Sequence, residues 1–165
     1  MVDTKTQYHK IKNEVDAAVL AVMESSQFIG GKVVNDFAAN LGIYHGSKHV
    51  IPCANGTDAL QIAMMALNLQ PGDEVIIPTP FWVTYSELVK IARGKVVALP
   101  STIESNFKIS AQQLKEAITD KTKVFLFSSP CNPSGAVYSK EELASLVEVF
   151  NQYPQITIIS DEIYE

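Results

Sequence analysis

Apolar positions along this chain keep two rhythms, and the change from one to the other organises it. From Tyr8 to Met23, the residues Ile11, Val15, Ala18, Val19 and Val22 recur at three- and four-residue spacing. That spacing predicts one amphipathic helix. Gly30-Gly31 breaks the pattern, and Val33, Val34, Phe37, Ala38 and Leu41 begin it again as a second helix. Beyond residue 45, short β-branched runs alternate with helical stretches. Val50 to Cys53, Val75 to Ile77, Val96 to Leu99, Val124 to Phe127 and Ile156 to Ile159 predict five strands. The last reads as a buried strand. Leu60, Ala63, Met64 and Leu67 share a helix face after the first strand, and a further helix runs from about Trp82 to Ala92.

The punctuation agrees with the rhythm. Gln70-Pro71-Gly72-Asp73 is a turn in which glycine supplies positive φ. Pro78 and Pro80 end the second strand. Ser110-Ala111-Gln112-Gln113 and Ser139-Lys140-Glu141-Glu142 have the spacing of capping boxes, where the serine hydroxyl accepts an amide one turn ahead and Gln113 or Glu142 reaches back. Strands alternating with helices predict a three-layer α/β/α sandwich with a mostly parallel sheet. One domain is expected over 1–165, with helices in 1–45 and alternating strands and helices in 46–165.

Composition narrows the function without naming it. The 165 residues carry 19% charged and 47% hydrophobic residues, an ordinary soluble balance. A net charge of −5, with Arg93 as the single arginine, argues against nucleic acid or an anionic membrane as partner. No apolar run reaches a membrane-spanning length and no signal-peptide pattern opens the chain, so a cytoplasmic location is expected. Cys53 and Cys131 are far apart and read as small buried thiols. His9, His45 and His49 lack metal-ligand spacing, and the first strand is not followed by a Rossmann or P-loop glycine pattern.

Right-handed crossovers bring the carboxyl ends of parallel strands to one edge, where open α/β sheets bind ligands. Chain order thereby gathers Gly56, Trp82, Asn132 and Asp161 at one rim. Gly56-Thr57-Asp58 opens a helix, so free amides and the Thr57 hydroxyl suit a phosphate; the same residues also suit a plain turn with Thr57 or Asp58 as cap. Trp82 can stack on a heteroaromatic ring or fill core. Asn132, between Pro130 and Pro133, is a held amide or the start of an Asx-turn. Asp161 leaving a strand calls for a cationic or hydrogen-bonding partner such as a pyridinium nitrogen, or acts as an N-cap. Tyr164 offers a hydroxyl donor or an amphipathic core edge.

The stretch from about Glu74 to Glu165 resembles the class I aspartate aminotransferases, fold-type I enzymes of pyridoxal 5'-phosphate. The resemblance is carried by Pro78-Thr79-Pro80-Phe81-Trp82-Val83, by Ser129-Pro130-Cys131-Asn132-Pro133-Ser134-Gly135 and by Asp161-Glu162-Ile163-Tyr164. It implies that Trp82 stacks on the cofactor ring, Asn132 and Tyr164 bind its phenolic oxygen and Asp161 binds its pyridine nitrogen. Residues from about Tyr8 to Thr79 resemble the nucleotide-sugar aminotransferases, through Phe28-Ile29-Gly30-Gly31, His49-Val50-Ile51-Pro52, Ala54-Asn55-Gly56-Thr57-Asp58-Ala59-Leu60 and Leu69-Gln70-Pro71-Gly72-Asp73-Glu74-Val75-Ile76. Both branches put the Gly56-Thr57 step at the phosphate. The chain thus reads as a mosaic of two related enzymes, with an amino acid, oxo acid or oxo sugar as the implied substrate and a homodimer as the implied assembly. Every lysine precedes the end of the last strand, whereas the resemblance puts the Schiff-base lysine and the substrate-carboxylate arginine further on. It therefore implies a cofactor-holding core, catalytically incomplete by itself, with no catalytic residue and only non-covalent cofactor. The sheet of that fold type has later strands between the first and the fifth, and without them the first and fifth strands are expected to pair directly. The competing expectation is an α/β scaffold, truncated or engineered, without tight ligand binding.

Overall fold

A computed structural model describes residues 3–164; Met1, Val2 and Glu165, which the expected 1–165 domain includes, lie outside the described residues. Two compact units divide the chain, Met1–Pro52 and Cys53–Glu165. The first holds α1 (Thr4–Ser25) and α2 (Lys32–His45). Asp3 caps α1 by accepting from the Thr6 amide at 3.0 Å, and Ser26 closes it in the left-handed region. Neither helix has a fully buried side chain among the described residues.

The second unit runs α3 (Gly56–Ala66), β1 (Glu74–Pro78), α4 (Thr84–Ile91), β2 (Lys95–Leu99), α5 (Ala111–Ala117), β3 (Thr122–Ser128), α6 (Lys140–Phe150) and β4 (Thr157–Asp161). All strand pairs are parallel, in the order β2-β1-β3-β4. Alternation along the strands builds two cores. Val75 and Ile77 of β1 with Val124 and Leu126 of β3 face Leu60, Met64, Leu88 and Val89 from α3 and α4. Ile76 and Phe125 point the other way, against Leu114, Leu146, Val149 and Phe150 from α5 and α6. A parallel sheet covered on both faces is the three-layer arrangement the sequence predicts. Both capping boxes form, Ser110 with Gln113 and Ser139 with Glu142. Gly72 takes φ +99°, the conformation for which the turn needs glycine.

Three expectations fail. Val50 to Cys53 forms no strand, so among the described residues the sheet has four strands, not five, and no first strand pairs with the last. The run is short, Pro52 offers no amide to a ladder, and Ile51 is 81% exposed. Ile156 is buried but precedes β4, within which Thr157, Ile158 and Ser160 are exposed and Ile159 is half-buried. The run that reads as a buried strand is an edge strand, because among the described residues it pairs with β3 alone. Cys53, expected as a buried thiol, is exposed, whereas Cys131 is half-buried. None of the described helices is long and apolar enough to cross a membrane.

Candidate active site

The order β2-β1-β3-β4 sets where a site can open. From β1 the chain moves outward to β2, then crosses back to β3 on the other side of β1. The connections leaving the carboxyl ends of β1 and β3 therefore diverge. Doubly wound sheets bind ligands in the crevice at such a switch point. Trp82 lies in the connection after β1, Asn132 in the one after β3, and Asp161 is the last residue of β4. In the β3–β4 ladder Asp161 sits opposite Ser128.

A cavity of about 200 Å³ opens there, lined by Trp82, Tyr85, Asn132, Asp161, Ile163 and Tyr164. Four of the residues singled out in the sequence, Trp82, Asn132, Asp161 and Tyr164, thus meet at one place. Gly56, Thr57 and Asp58 are not among its lining residues. They open α3, but with no strand at Val50 to Cys53 they do not sit at a strand end. The α3 cap is Asn55, not Thr57 or Asp58. Its side-chain oxygen accepts the Asp58 amide at 2.9 Å, and its amide nitrogen donates to Asp58 Oδ2 at 3.0 Å. The amides of Gly56 and Thr57 remain in the first turn of the helix, where anions are favoured. Arg93 precedes β2 and so lies toward the amino-terminal edge of the sheet, away from the cavity.

Short polar ties hold the two site loops. The Cys131 thiol donates to the Pro80 carbonyl at 3.2 Å, joining the Asn132 loop to the Trp82 loop. Cys131 also closes its own loop, donating from N to the Ala136 carbonyl at 2.9 Å and accepting from the Gly135 amide at 2.7 Å. Gly135 has φ +69°, where a side chain would be strained. The Tyr138 amide donates to Ser129 Oγ at 3.0 Å at the far end of the same loop.

Tyr85, which the sequence reading does not single out, is central. On α4 it packs edge-to-face with Trp82, ring centroids 5.8 Å apart, and stacks on Phe81 at 6.4 Å. Its hydroxyl donates to Asp161 Oδ2 at 2.6 Å. Burial first, and the bond to Asp161 second, push the phenol far above its ordinary pKa, so the proton stays on Tyr85. The signal for it was present: in the helix expected from about Trp82, an aromatic three residues on shares its face, although α4 itself begins at Thr84 and Trp82 meets Tyr85 from the preceding connection. Among the described residues, Asp161 Oδ1 and the polar ends of Trp82, Asn132 and Tyr164 have no hydrogen-bond partner in the protein.

A sequence model of class I and II aminotransferases matches residues 4–165. The chain belongs to the class I and II aminotransferase family. Pyridoxal phosphate is the cofactor of that family. The chain is 49% identical over 133 residues to an aspartate/prephenate aminotransferase of Cereibacter sphaeroides, covering 81% of this chain and 33% of that protein. It is 44% identical over 133 residues to the aspartate aminotransferase of Bacillus subtilis, with the same coverage of each. Among solved structures, the aspartate aminotransferase of Rhizobium meliloti superposes with a TM-score of 0.63 at 43% identity, covering 65% of this chain and 26% of that one. The chain spans about a third of the length of the curated relatives it matches. Alignments of 133 residues cannot fit between Glu74 and Glu165, so likeness to aspartate aminotransferases extends ahead of Glu74, into residues whose motifs led the sequence reading to expect a nucleotide-sugar branch.

Proposed function

We propose that this chain is the pyridoxal-phosphate-holding core of an aminotransferase. The observation that carries the reading is the meeting of Trp82, Asn132, Asp161 and Tyr164 around one cavity at the switch point of the sheet, although up to 82 positions separate them in sequence. The donor set fits the group. A half-buried carboxylate with one oxygen unpartnered suits a protonated ring nitrogen. An amide and a phenol suit the phenolic oxygen, and an indole suits the ring face. When bound, such a cofactor supplies an electron sink for the carbanion of an amino acid.

In this reading Asp161 holds the proton on the pyridine nitrogen, and Asn132 and Tyr164 orient the phenolic oxygen. Trp82 covers one ring face and excludes water from it. Gly56 and Thr57 offer amides and a hydroxyl to the phosphate, and Asp58, whose amide is taken by Asn55, contributes its place in the helix start. No lysine lines the cavity among the described residues. The 165 residues are therefore proposed to bind the cofactor without covalent attachment and without turnover. Amino-group transfer between an amino acid and an oxo acid or oxo sugar, and a homodimeric assembly, are proposed for protein that supplies the Schiff-base lysine.

Trp82 is the single tryptophan of the chain, so all tryptophan emission comes from this cavity. Titration with pyridoxal phosphate should quench that emission saturably and induce circular dichroism in the visible band of the otherwise achiral cofactor. Both signals should be lost in Asp161→Ala. A folded wild-type chain giving neither signal would leave the α/β scaffold without tight ligand binding as the reading.

A further inference from the structure

Tyr85 differs from the other residues around the cavity. It is 2% exposed, it sits on a helix, and the cofactor reading assigns it no task. Asp161, by contrast, ends an edge strand with exposed neighbours, so packing alone does not fix the direction of its carboxylate. The bond from Tyr85 to Asp161 Oδ2 is 2.6 Å, within the range of charge-assisted O–H···O⁻ bonds. The donor is itself immobile. Tyr85 belongs to the core formed by Leu88, Val89, Val75 and Ile77, and its ring is held by Phe81 and Trp82.

Tyr85 on α4 thus reaches across to the last residue of β4. Its bond takes up Oδ2, which leaves Oδ1 as the carboxylate oxygen without a protein partner among the described residues. The same phenol ring touches Trp82, so one side chain contacts both the residue proposed to stack on the cofactor ring and the residue proposed to meet its nitrogen.

We infer that Tyr85 is a positioning residue of this site: by occupying Asp161 Oδ2 and abutting Trp82, it sets the carboxylate and the indole in the orientation that receives the pyridinium ring. The inference rests on the cofactor reading above. A residue acting through Asp161 has to be separated from one that merely fills space, and Tyr85→Phe does so because it removes one oxygen and keeps the packed ring.

The variant should keep its fold by near-ultraviolet circular dichroism and bind pyridoxal phosphate roughly tenfold more weakly. At saturation its visible dichroic band should be reduced, because the ring is no longer held in one orientation. Independently of the cofactor, ionisation of the tyrosines followed by ultraviolet absorbance should show two resistant phenols, Tyr85 and Tyr138, both held up first by burial. The Tyr85 transition, identified by its absence in Tyr85→Phe, should move to lower pH in Asp161→Asn, whose side chain carries no charge to oppose ionisation. Unchanged affinity and dichroism in Tyr85→Phe would overturn the inference. So would a Tyr85 phenol that ionises identically in Asp161→Asn and wild type. Failure of the wild-type chain to bind pyridoxal phosphate would instead sink the cofactor reading, and it is recognised because the unmutated chain already fails.

Discussion

Removing a single oxygen from Tyr138 should destabilise this protein by about 1–3 kcal/mol. The Ile109 amide donates to Tyr138 Oη at 2.9 Å, with Ile109 5% and Tyr138 8% exposed. Both belong to the core formed with Leu99, Leu114 and Phe125. In Tyr138→Phe the ring stays, so apolar burial hardly changes, and the backbone amide loses its acceptor where water does not reach. The cost is then the desolvation of an unpaired buried donor, which exceeds the net worth of an ordinary hydrogen bond. Among the described residues no buried side-chain nitrogen or oxygen lacks a partner, so the variant introduces a kind of defect the wild-type side chains avoid. For a chain of this size each kcal/mol lowers Tm by roughly 2–4 °C. Urea unfolding should show a lower midpoint with an unchanged slope, and exchange of the Ile109 amide should accelerate. Tyr153→Phe is the control, since Tyr153 is half-buried on the same face and its hydroxyl has no protein partner among the described residues. It should fall within about 0.5 kcal/mol of wild type. Equal midpoints for the two variants would refute the reasoning. Because the Tyr138 amide still reaches Ser129 Oγ, cofactor affinity should fall far less than stability.

Glu74 gives a pH-dependent test: the Thr119 hydroxyl at 2.6 Å and then the Lys95 ammonium at 3.0 Å hold its carboxyl below the ordinary value of 4.5. A depressed folded-state pKa contributes stability that is fully present above the ordinary value and is lost as pH falls through the folded one. Glu74→Gln should therefore lower the urea midpoint at neutral pH and match wild type in strong acid; a gap independent of pH would contradict this. Leu114→Ala, at a site with no exposure, should cost about 2–5 kcal/mol by the same assay, and a loss below 1 kcal/mol would show that the α5 side of the core collapses around the cavity. Ser139→Ala removes one half of a capping box and should cost about 1 kcal/mol, measured beside Ser110→Ala as its counterpart on α5.

What could be read from the sequence follows from how local each signal is. Hydrophobic rhythm located β1, β2 and β3 to within one or two residues, and the capping boxes marked the starts of α5 and α6. Both signals are written in neighbouring residues. The fate of Val50 to Cys53 depends on whether a partner strand is at hand, which no short window records, and β-branched residues alone read as strand. The exposure of β4 has the same origin, since an edge and a central strand can share one sequence pattern. At the site, Trp82, Asn132, Asp161 and Tyr164 were legible because each lies at or just beyond a strand end that the crossover rule brings to one rim. Tyr85 was passed over because its importance lies in a bond across 76 residues to Asp161, and an aromatic on an amphipathic helix is ordinarily core.

Asp161 and Tyr164, two of the cavity's walls, hang from β4, which is bound to the sheet along one side only among the described residues. Edge strands fray first, and local opening of this kind has its own free energy, smaller than that of global unfolding. Fraying of β4 would carry Asp161 away from Tyr85 and dismantle the cavity. Occupancy and strand attachment are therefore linked equilibria: a ligand that binds only the closed form must suppress fraying by the free energy with which it binds. The amides of Ile158 to Asp161 would then slow their hydrogen exchange as cofactor is added, while those of central β1 stay unchanged. In this sense the ligand serves as the outer fastening of the sheet.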